Sequence, residues 1–593
     1  MDLRWSLNKL YTSFDSSDFK KDLKECDKQI ETIKQWCSSN LNSYEDTVPK
    51  IKSYIDLLIT FNTLYARLTA YTYLNFSVDT TNERVLKTLD TLQKKSTALT
   101  GPLVKFQRWL GNIEGLEAII SKSEFLKEHS FYLLEFAGKA KYLLSDEEEI
   151  LLSNMSNTGS KAWEKLQGTL TSTLMVSMNV EGKEKELPLS LVRNMLYDKD
   201  PKVRKSAYEA ELKSYEKIEA ASAACLNGIK GEVITVAKIR GYESPLEETL
   251  INSRMDRETL DSMILAMKES LPVFRRYLRK KAEFLGHRDG LPFYDIFAPV
   301  GRLSRTFTYE EARSYIVKNF KSFSDRLGNF ADNAFERNWI DAEPRRGKKG
   351  GAFCYNIHPI GESRILANFS GNFKDVITLA HELGHGYHGS CLIEESVLNS
   401  SYTMPLAETA SIFCESIVMN SALREASNEE AFTILEGSLQ NATQVIVDIY
   451  SRFLFESKLF EERKNYSLSP QELNKLMIEA QKEAFGDGLD HNAPHPYMWL
   501  NKPHYYYAKR NFYNFPYAFG LLFAKGLYVK YLKVGGAFVK DYDNLLALTG
   551  KKSIADVAKR IDIDIRSIDF WRSSLKLIEA DIERFIELAD CQV

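Results

Sequence analysis

His381-Glu382-Leu383-Gly384-His385 sets two histidines four residues apart with a glutamate directly after the first. On an α-helix, residues four apart lie one above the other, so both imidazoles can reach one ion at the roughly 2.0–2.1 Å of Zn–N bonds. The run therefore predicts a helix through 381–385 that carries half of a metal site. Glu382, one step round the helix, points toward the remaining open position, where it can take a proton from a water attacking a carbonyl. With nine histidines in the chain, chance alone would produce this pattern in roughly two per cent of such sequences.

Catalytic zinc sites usually have three protein ligands, so a third is needed. Three residues compete for the position. His388 lies seven residues beyond His381, about 10 Å along the helix axis. Three imidazoles so stacked cannot converge tetrahedrally on one ion, so His388 is expected behind the ligands or facing substrate. Glu408 and Glu415 lie on a segment whose Pro405 suits a helix's first turn, and at seven apart they share a face. Glu408 is the expected ligand, and Glu415 the carboxylate that holds an imidazole in its ligating orientation. Gly384 and Gly386 each cost a helix roughly 1 kcal/mol relative to alanine, which points to close approach of a neighbouring helix or of a substrate backbone.

Two further stretches flank the motif. Gly347-Lys348-Lys349-Gly350-Gly351 leads into Ala352-Phe353-Cys354-Tyr355-Asn356-Ile357, and 363–369 follows across a Pro-Ile-Gly turn, so a small sheet is expected beside the helix. Gly351, Ala352 and Phe353 would lie where a peptide could add as an extra strand, although a purely structural hairpin reads equally well. Downstream, His504 opens an aromatic stretch with Tyr505, Tyr506, Tyr507, Tyr513 and Tyr517. Its imidazole and phenols could donate to an oxyanion or simply be core aromatics with satisfied hydroxyls.

The rest of the chain reads as a mainly α protein. Apolar residues recur at helical spacing in 50–58, 114–126 and 146–169. A β-hairpin with a turn at Glu181-Gly182-Lys183 is expected within 171–191, and Asp200-Pro201 opens a long helix to about residue 240. The expected division is an N-terminal helical lobe over 1–190, with the hairpin near its end, and a catalytic lobe over 191–593.

At 593 residues and a net charge of -3, the sequence has ample core-forming content and no nucleic-acid or membrane-surface footprint. The basic run 345–349 reads as a solvated loop. Seven cysteines without C-x-x-C pairing read as reduced thiols. The opening from Met1 and Asp2 lacks the apolar stretch of a signal peptide, and no segment has the apolar length of a membrane span. A cytoplasmic protein is expected.

Several stretches together resemble one family. They are Asp375-Val376-Ile377-Thr378-Leu379-Ala380-His381-Glu382-Leu383-Gly384-His385-Gly386-Tyr387-His388, then Leu406-Ala407-Glu408-Thr409-Ala410-Ser411 with Glu415, and His504 with Phe512-Tyr513-Asn514-Phe515-Pro516-Tyr517-Ala518-Phe519-Gly520. Asp562-Ile563-Asp564 and Phe570-Trp571 complete the likeness, and Leu10-Tyr11 extends it at lower specificity. The chain resembles the oligoendopeptidase F group of zinc metallopeptidases, relatives of thimet oligopeptidase. The resemblance implies a two-lobed helical metallopeptidase with a deep central channel for short peptides. It implies one zinc ion (Zn2+) per chain on His381, His385 and Glu408, with Glu382 as general base. His504 and a tyrosine become transition-state donors; Ala508-Lys509-Arg510 interrupts the interval after His504, so Tyr513 and Tyr517 are assigned, with Tyr507 behind them.

The expected activity is zinc-dependent cleavage of internal bonds in oligopeptides. A zinc carboxypeptidase or dipeptidyl carboxypeptidase is the alternative, and would need a cationic group to catch a terminal carboxylate. A non-catalytic peptide-binding protein is the rival from another class. Manganese or cobalt can occupy similar ligands, and oligomeric state is not encoded in any feature above.

Overall fold

Helices form where apolar spacing predicts them and break where the backbone finds other partners. The protein is seen in a computed structural model that describes residues 3–180, 182–301 and 305–591. Met1, Asp2 and the Glu181 of the hairpin turn lie outside the described residues. The 50–58 pattern sits inside a single helix, Thr47–Val78. The 146–169 pattern is split into Asp146–Thr158 and Ser160–Thr173. There the Glu232 carboxylate accepts from both the backbone N–H (2.7 Å) and the hydroxyl (2.5 Å) of Ser160. A Cβ on Gly159 would stand 2.5 Å from the same carboxylate, so the break needs glycine. The 114–126 pattern likewise becomes two short helices, Leu116–Ile120 and Glu124–Glu128. The helix opened by Asp200 and Pro201 ends at Tyr215, and a second covers Glu219–Arg240.

The contacts gather into two compact units, neither contiguous in sequence: Met1–Leu143, Ser304–Ala422 and Lys530–Ile563 form the first, and Leu144–Leu303, Leu423–Val529 and Asp564–Val593 the second. The boundary expected near residue 190 falls inside the second unit. Local periodicity marks where elements start and stop, whereas unit membership is decided by which distant segments pack together.

The second unit holds the hairpin, β1 (Met175–Val180) antiparallel to β2 (Lys183–Pro188). The first unit has an apolar core built on the N-terminal helices, with Ile51, Tyr54, Ile55, Leu68 and Phe106 fully or almost fully buried. Its small sheet has the order β3-β5-β4, in which β3 (Ile340–Asp341) runs parallel to β5 (Glu362–Leu366), and β4 (Phe353–Ile357) pairs antiparallel with β5. β4 is thus an outer strand, and the two strands β4 and β5 are those that the sequence between 347 and 369 predicts.

The basic run 345–349 differs from its expectation as a solvated loop. Arg345 pairs with Asp341, and the fully buried Lys348 ammonium bonds that carboxylate at 2.8 Å as well as the carbonyls of Asp341, Glu343 and Ala367. Lys349 lies over the rings of Tyr73 and Phe76. Three of the four cations in the run are held because one buried carboxylate, a row of carbonyls and two ring faces receive them. Among the described residues, no helix is long and apolar enough to cross a membrane.

Candidate metal centre and the residues around it

The motif helix, Phe373–Cys391, starts at Asn372, whose side-chain oxygen accepts from the Asp375 N–H at 3.0 Å. Asp375 in turn accepts from the N–H groups of Ser370 and Gly371, so the entry to the helix is fixed from both sides. The second helix, Met404–Glu425, carries Glu408 and Glu415. The two helices touch at Gly384: a Cβ there would lie 2.6 Å from the Ala410 carbonyl oxygen and 2.6 Å from the Ser411 Cα. The predicted close approach is therefore of backbone against backbone, and it brings the carboxylates within reach of the imidazoles. Gly386 similarly makes room for the Phe330 ring.

His381 Nε2 and His385 Nε2 stand 3.1 Å apart, and Glu408 Oε2 lies 3.3 Å from the first and 3.7 Å from the second. Three ligands on a tetrahedral ion with bonds near 2.0–2.1 Å are separated by about 3.3 Å. The donor set, two nitrogens and a carboxylate oxygen, is one that zinc takes, so the residues fit the metal. His381 Nδ1 bonds Glu415, which fixes the ring and leaves Nε2 for the shared centre. The Glu408 carboxylate is oriented by the Ser411 hydroxyl at 2.8 Å.

The electrostatics match this arrangement. Burial alone would depress His381, yet its bonds to Glu408 and Glu415 raise it to about 10. His385 is pulled down to about 4 by burial, against the pull of Glu408. Burial pushes Glu408 up, but the two histidines outweigh it and hold it at about 2. Two imidazoles and a carboxylate around one point thus compete for a single positive charge, which a divalent cation would satisfy for all three.

Glu382 is 6% exposed, and its Oε2 has no hydrogen-bond partner. Burial raises it to about 7, opposed by His381 and aided by Glu408 and Glu415. A buried carboxylate oxygen with an open lone pair beside a ligand triad is poised to accept a proton.

His388 does not take the role expected of it. Its ring is fully buried, stacks on Tyr402 with centroids 4.0 Å apart, and bonds Thr549 through Nε2 at 2.8 Å. Among the described residues it bonds none of the candidate ligands, and no part of its ring reaches the surface. Two turns beyond His381 it reaches the next layer of packing, where burial lowers it to about 3 and keeps it neutral. Asn356 escaped the sequence reading. From β4 its side chain donates to the His385 carbonyl at 3.1 Å and accepts from Ser363 at 2.7 Å. Nothing in the spacing of an isolated asparagine in a strand distinguishes it.

Of the expected substrate-contacting residues in the first unit, Phe353 begins β4, with Gly351 and Ala352 just before it. The Gly351 carbonyl accepts from Asn368 at 2.9 Å. In the second unit, His504 lies in the short turn Pro503–Tyr506. It stacks on Tyr513 at 4.8 Å and meets Tyr507 edge-on at 6.2 Å. Tyr517 donates to the Tyr513 hydroxyl at 3.2 Å. His504 and the three tyrosines assigned with it thus form one cluster, while Tyr505 and Tyr506 are core side chains, each 1% exposed.

Comparison with known proteins gives a consistent picture. The profile of Peptidase family M3 matches residues 194–577, and that of Oligopeptidase F matches residues 112–175. Oligopeptidase PepF of Bacillus subtilis is 26% identical over 492 residues, covering 80% of this chain and 71% of its own. The oligoendopeptidase F homolog of Borreliella burgdorferi is 22% identical over 617 residues, covering 100% and 97%. In fold, the chain is similar to a crystal structure from Chlamydophila abortus (TM-score 0.84, 22% identity, 99% and 98% covered). It is also similar to oligoendopeptidase-F from Enterococcus faecium (TM-score 0.70, 18% identity, 97% and 99% covered). The M3 profile takes in the histidine helix, the glutamate helix and the His504 cluster alike, and the chain belongs to peptidase family M3, a family of metallopeptidases.

Proposed function

We propose that the protein is a zinc-dependent endopeptidase that hydrolyses internal bonds of short oligopeptides. The observation that carries this reading is the triad of His381, His385 and Glu408 at tetrahedral spacing beside the unpartnered, buried Glu382 oxygen. The names of the oligopeptidase relatives support the substrate class. A zinc ion bound to the triad would supply Lewis acidity toward the water and the scissile carbonyl. Glu382 takes the proton of the attacking water on Oε2 and returns it to the amide nitrogen as the C–N bond breaks. Glu415 keeps the His381 ring oriented throughout, and Ser411 does the same for Glu408.

β4 is an outer strand of its sheet, so an extended peptide can add along it near Gly351, Ala352 and Phe353 by main-chain hydrogen bonds. That mode of binding reads backbone more than side chains and suits varied sequences. His504, Tyr513 and Tyr517 are assigned as donors to the carbonyl oxygen as it acquires charge, a contribution of about 3–4 kcal/mol per donor in other enzymes. Burial, with Arg452 and Lys502 nearby, lowers His504 to about 4, so at neutral pH it acts as a neutral N–H donor.

The test is cleavage of an internally quenched peptide of about ten residues, blocked at both ends, with and without a chelator. Internal cleavage abolished by chelator and restored by zinc is expected. Intact peptide in the presence of stoichiometric bound zinc would overturn the reading.

A further inference from the structure

The second unit buries two lysine side chains completely, and a third lysine stands half-buried beside the His504 cluster. Lys230 is fully buried and bonds Glu456 at 2.8 Å and Asn511 at 2.9 Å. Lys281, also fully buried, bonds Glu436 at 2.5 Å and the Ile296 carbonyl at 2.9 Å. Lys502 is half-buried beside the His504 turn, and its ammonium makes no hydrogen bond or ion pair among the described residues. The two fully buried lysines have their bonding directions taken by protein acceptors, whereas the half-buried Lys502 ammonium is left for an acceptor from outside.

The surroundings are short of negative charge. Lys502 interacts electrostatically with Arg452, Arg193, Asp448 and Glu211. Asp448 is engaged by Arg452, which also donates to Asn514 at 3.2 Å. Glu211 accepts from Tyr215 at 2.7 Å and has Arg193 at 3.4 Å. Three cations thus face two carboxylates, each already engaged. In the same cluster the Arg452 Nε donor is buried without a partner, as is one ring nitrogen of His504. Burial, then Arg452, lowers Lys502 to about 7, the behaviour of an ammonium that lacks an anion. The turn that follows it is anchored by the buried Tyr505 and Tyr506 and fixed by Pro503, so the backbone from which the ammonium projects is held in place.

We infer that Lys502, with Arg452 behind it and His504 beside it, forms a recognition site for a carboxylate of the peptide substrate. The inference rests on the peptidase reading, since it is the His504 cluster's assigned contact with peptide that gives the carboxylate its source. Two sources share the chemistry, a peptide's C-terminal carboxylate and an Asp or Glu side chain. The first would make the enzyme prefer short peptides with free ends; the second would give it acidic sequence preference.

The test uses full-length, zinc-loaded Glu382→Gln protein and fluorescein-labelled peptides of about ten residues. One pair differs only in a free or amidated C-terminus, and the other has Glu or Gln at internal positions in an amidated peptide. Binding about ten-fold tighter is expected for the carboxylate member of one pair, and which pair discriminates identifies the source. Lys502→Met should abolish the difference without weakening the neutral peptides, and Lys502→Arg should retain it. Equal affinity within both pairs, absence of binding, or a Lys502→Met loss common to all four peptides would overturn the site. Turnover of the same peptides by the unsubstituted protein separates the two claims. Cleavage without discrimination leaves the peptidase and removes the carboxylate site; discrimination without cleavage leaves the site and removes the peptidase.

Discussion

The histidine site of the first unit and the lysine site of the second bury charge in opposite ways. In the second, Lys230 meets Glu456 and Asn511, and the other Glu456 oxygen accepts from the Phe512 N–H at 3.1 Å. Arg204 and His287 likewise share the two oxygens of the buried Asp295, at 2.6 and 2.7 Å. In the first unit, His381, His385 and Glu408 crowd around one point and Glu382 keeps an oxygen open. A buried charge whose bonding directions are filled holds elements together. One left open beside a ligand set is kept available for something that arrives from outside. Burial of a charged residue alone separates neither case; the completeness of its partners does.

The largest expected effect is on chemistry in the first unit. Glu382→Gln removes the proton acceptor while leaving the three ligands, so turnover should fall by about 10²–10⁴-fold with bound zinc and melting temperature unchanged. Elemental analysis alongside peptide kinetics reads both, and an active, metal-replete variant would erase the contrast between the units. The second substitution should act in the reverse sense. Lys230→Met leaves Glu456 buried and short of its cation, which should cost about 3–5 kcal/mol of stability in denaturant unfolding. At temperatures where the variant stays folded, zinc stoichiometry should be unchanged. The smallest effect probes how the site is assembled. Gly384→Ala puts a methyl group against the Ala410 carbonyl and should cost about 1–3 kcal/mol. Because the strain forces the glutamate helix away, zinc affinity should fall more than in a matched Gly437→Ala control, where the added carbon meets nothing within 4 Å.

The parts of the site that were legible in the sequence are those set by helical spacing. His381, Glu382 and His385 follow from one turn of helix, and Glu408 and Glu415 from two turns of another. The crossing of those helices was foreshadowed by Gly384, because a glycine inside a helix signals a neighbour's approach. What spacing does not carry is the third dimension beyond one turn. His388 shares the face of His381 yet belongs to another layer, packed on Tyr402 and Thr549. Lys348 reads as a surface charge until Asp341, a strand away, is found beneath it. The division into units was illegible for the same reason, since it depends on segments hundreds of residues apart.

The first unit draws on residues up to Ile563, and the histidine helix rests on its last segment: Tyr387 bonds Asp543 and His388 bonds Thr549. At about 5–20 residues per second of synthesis, roughly ten to thirty seconds separate the emergence of the motif from that of its supports. During that interval the ribosome holds a chain with every ligand made and the helix behind them unbraced. Bracing of the histidine helix therefore waits on the synthesis of Lys530–Ile563, long after the ligands themselves have been made.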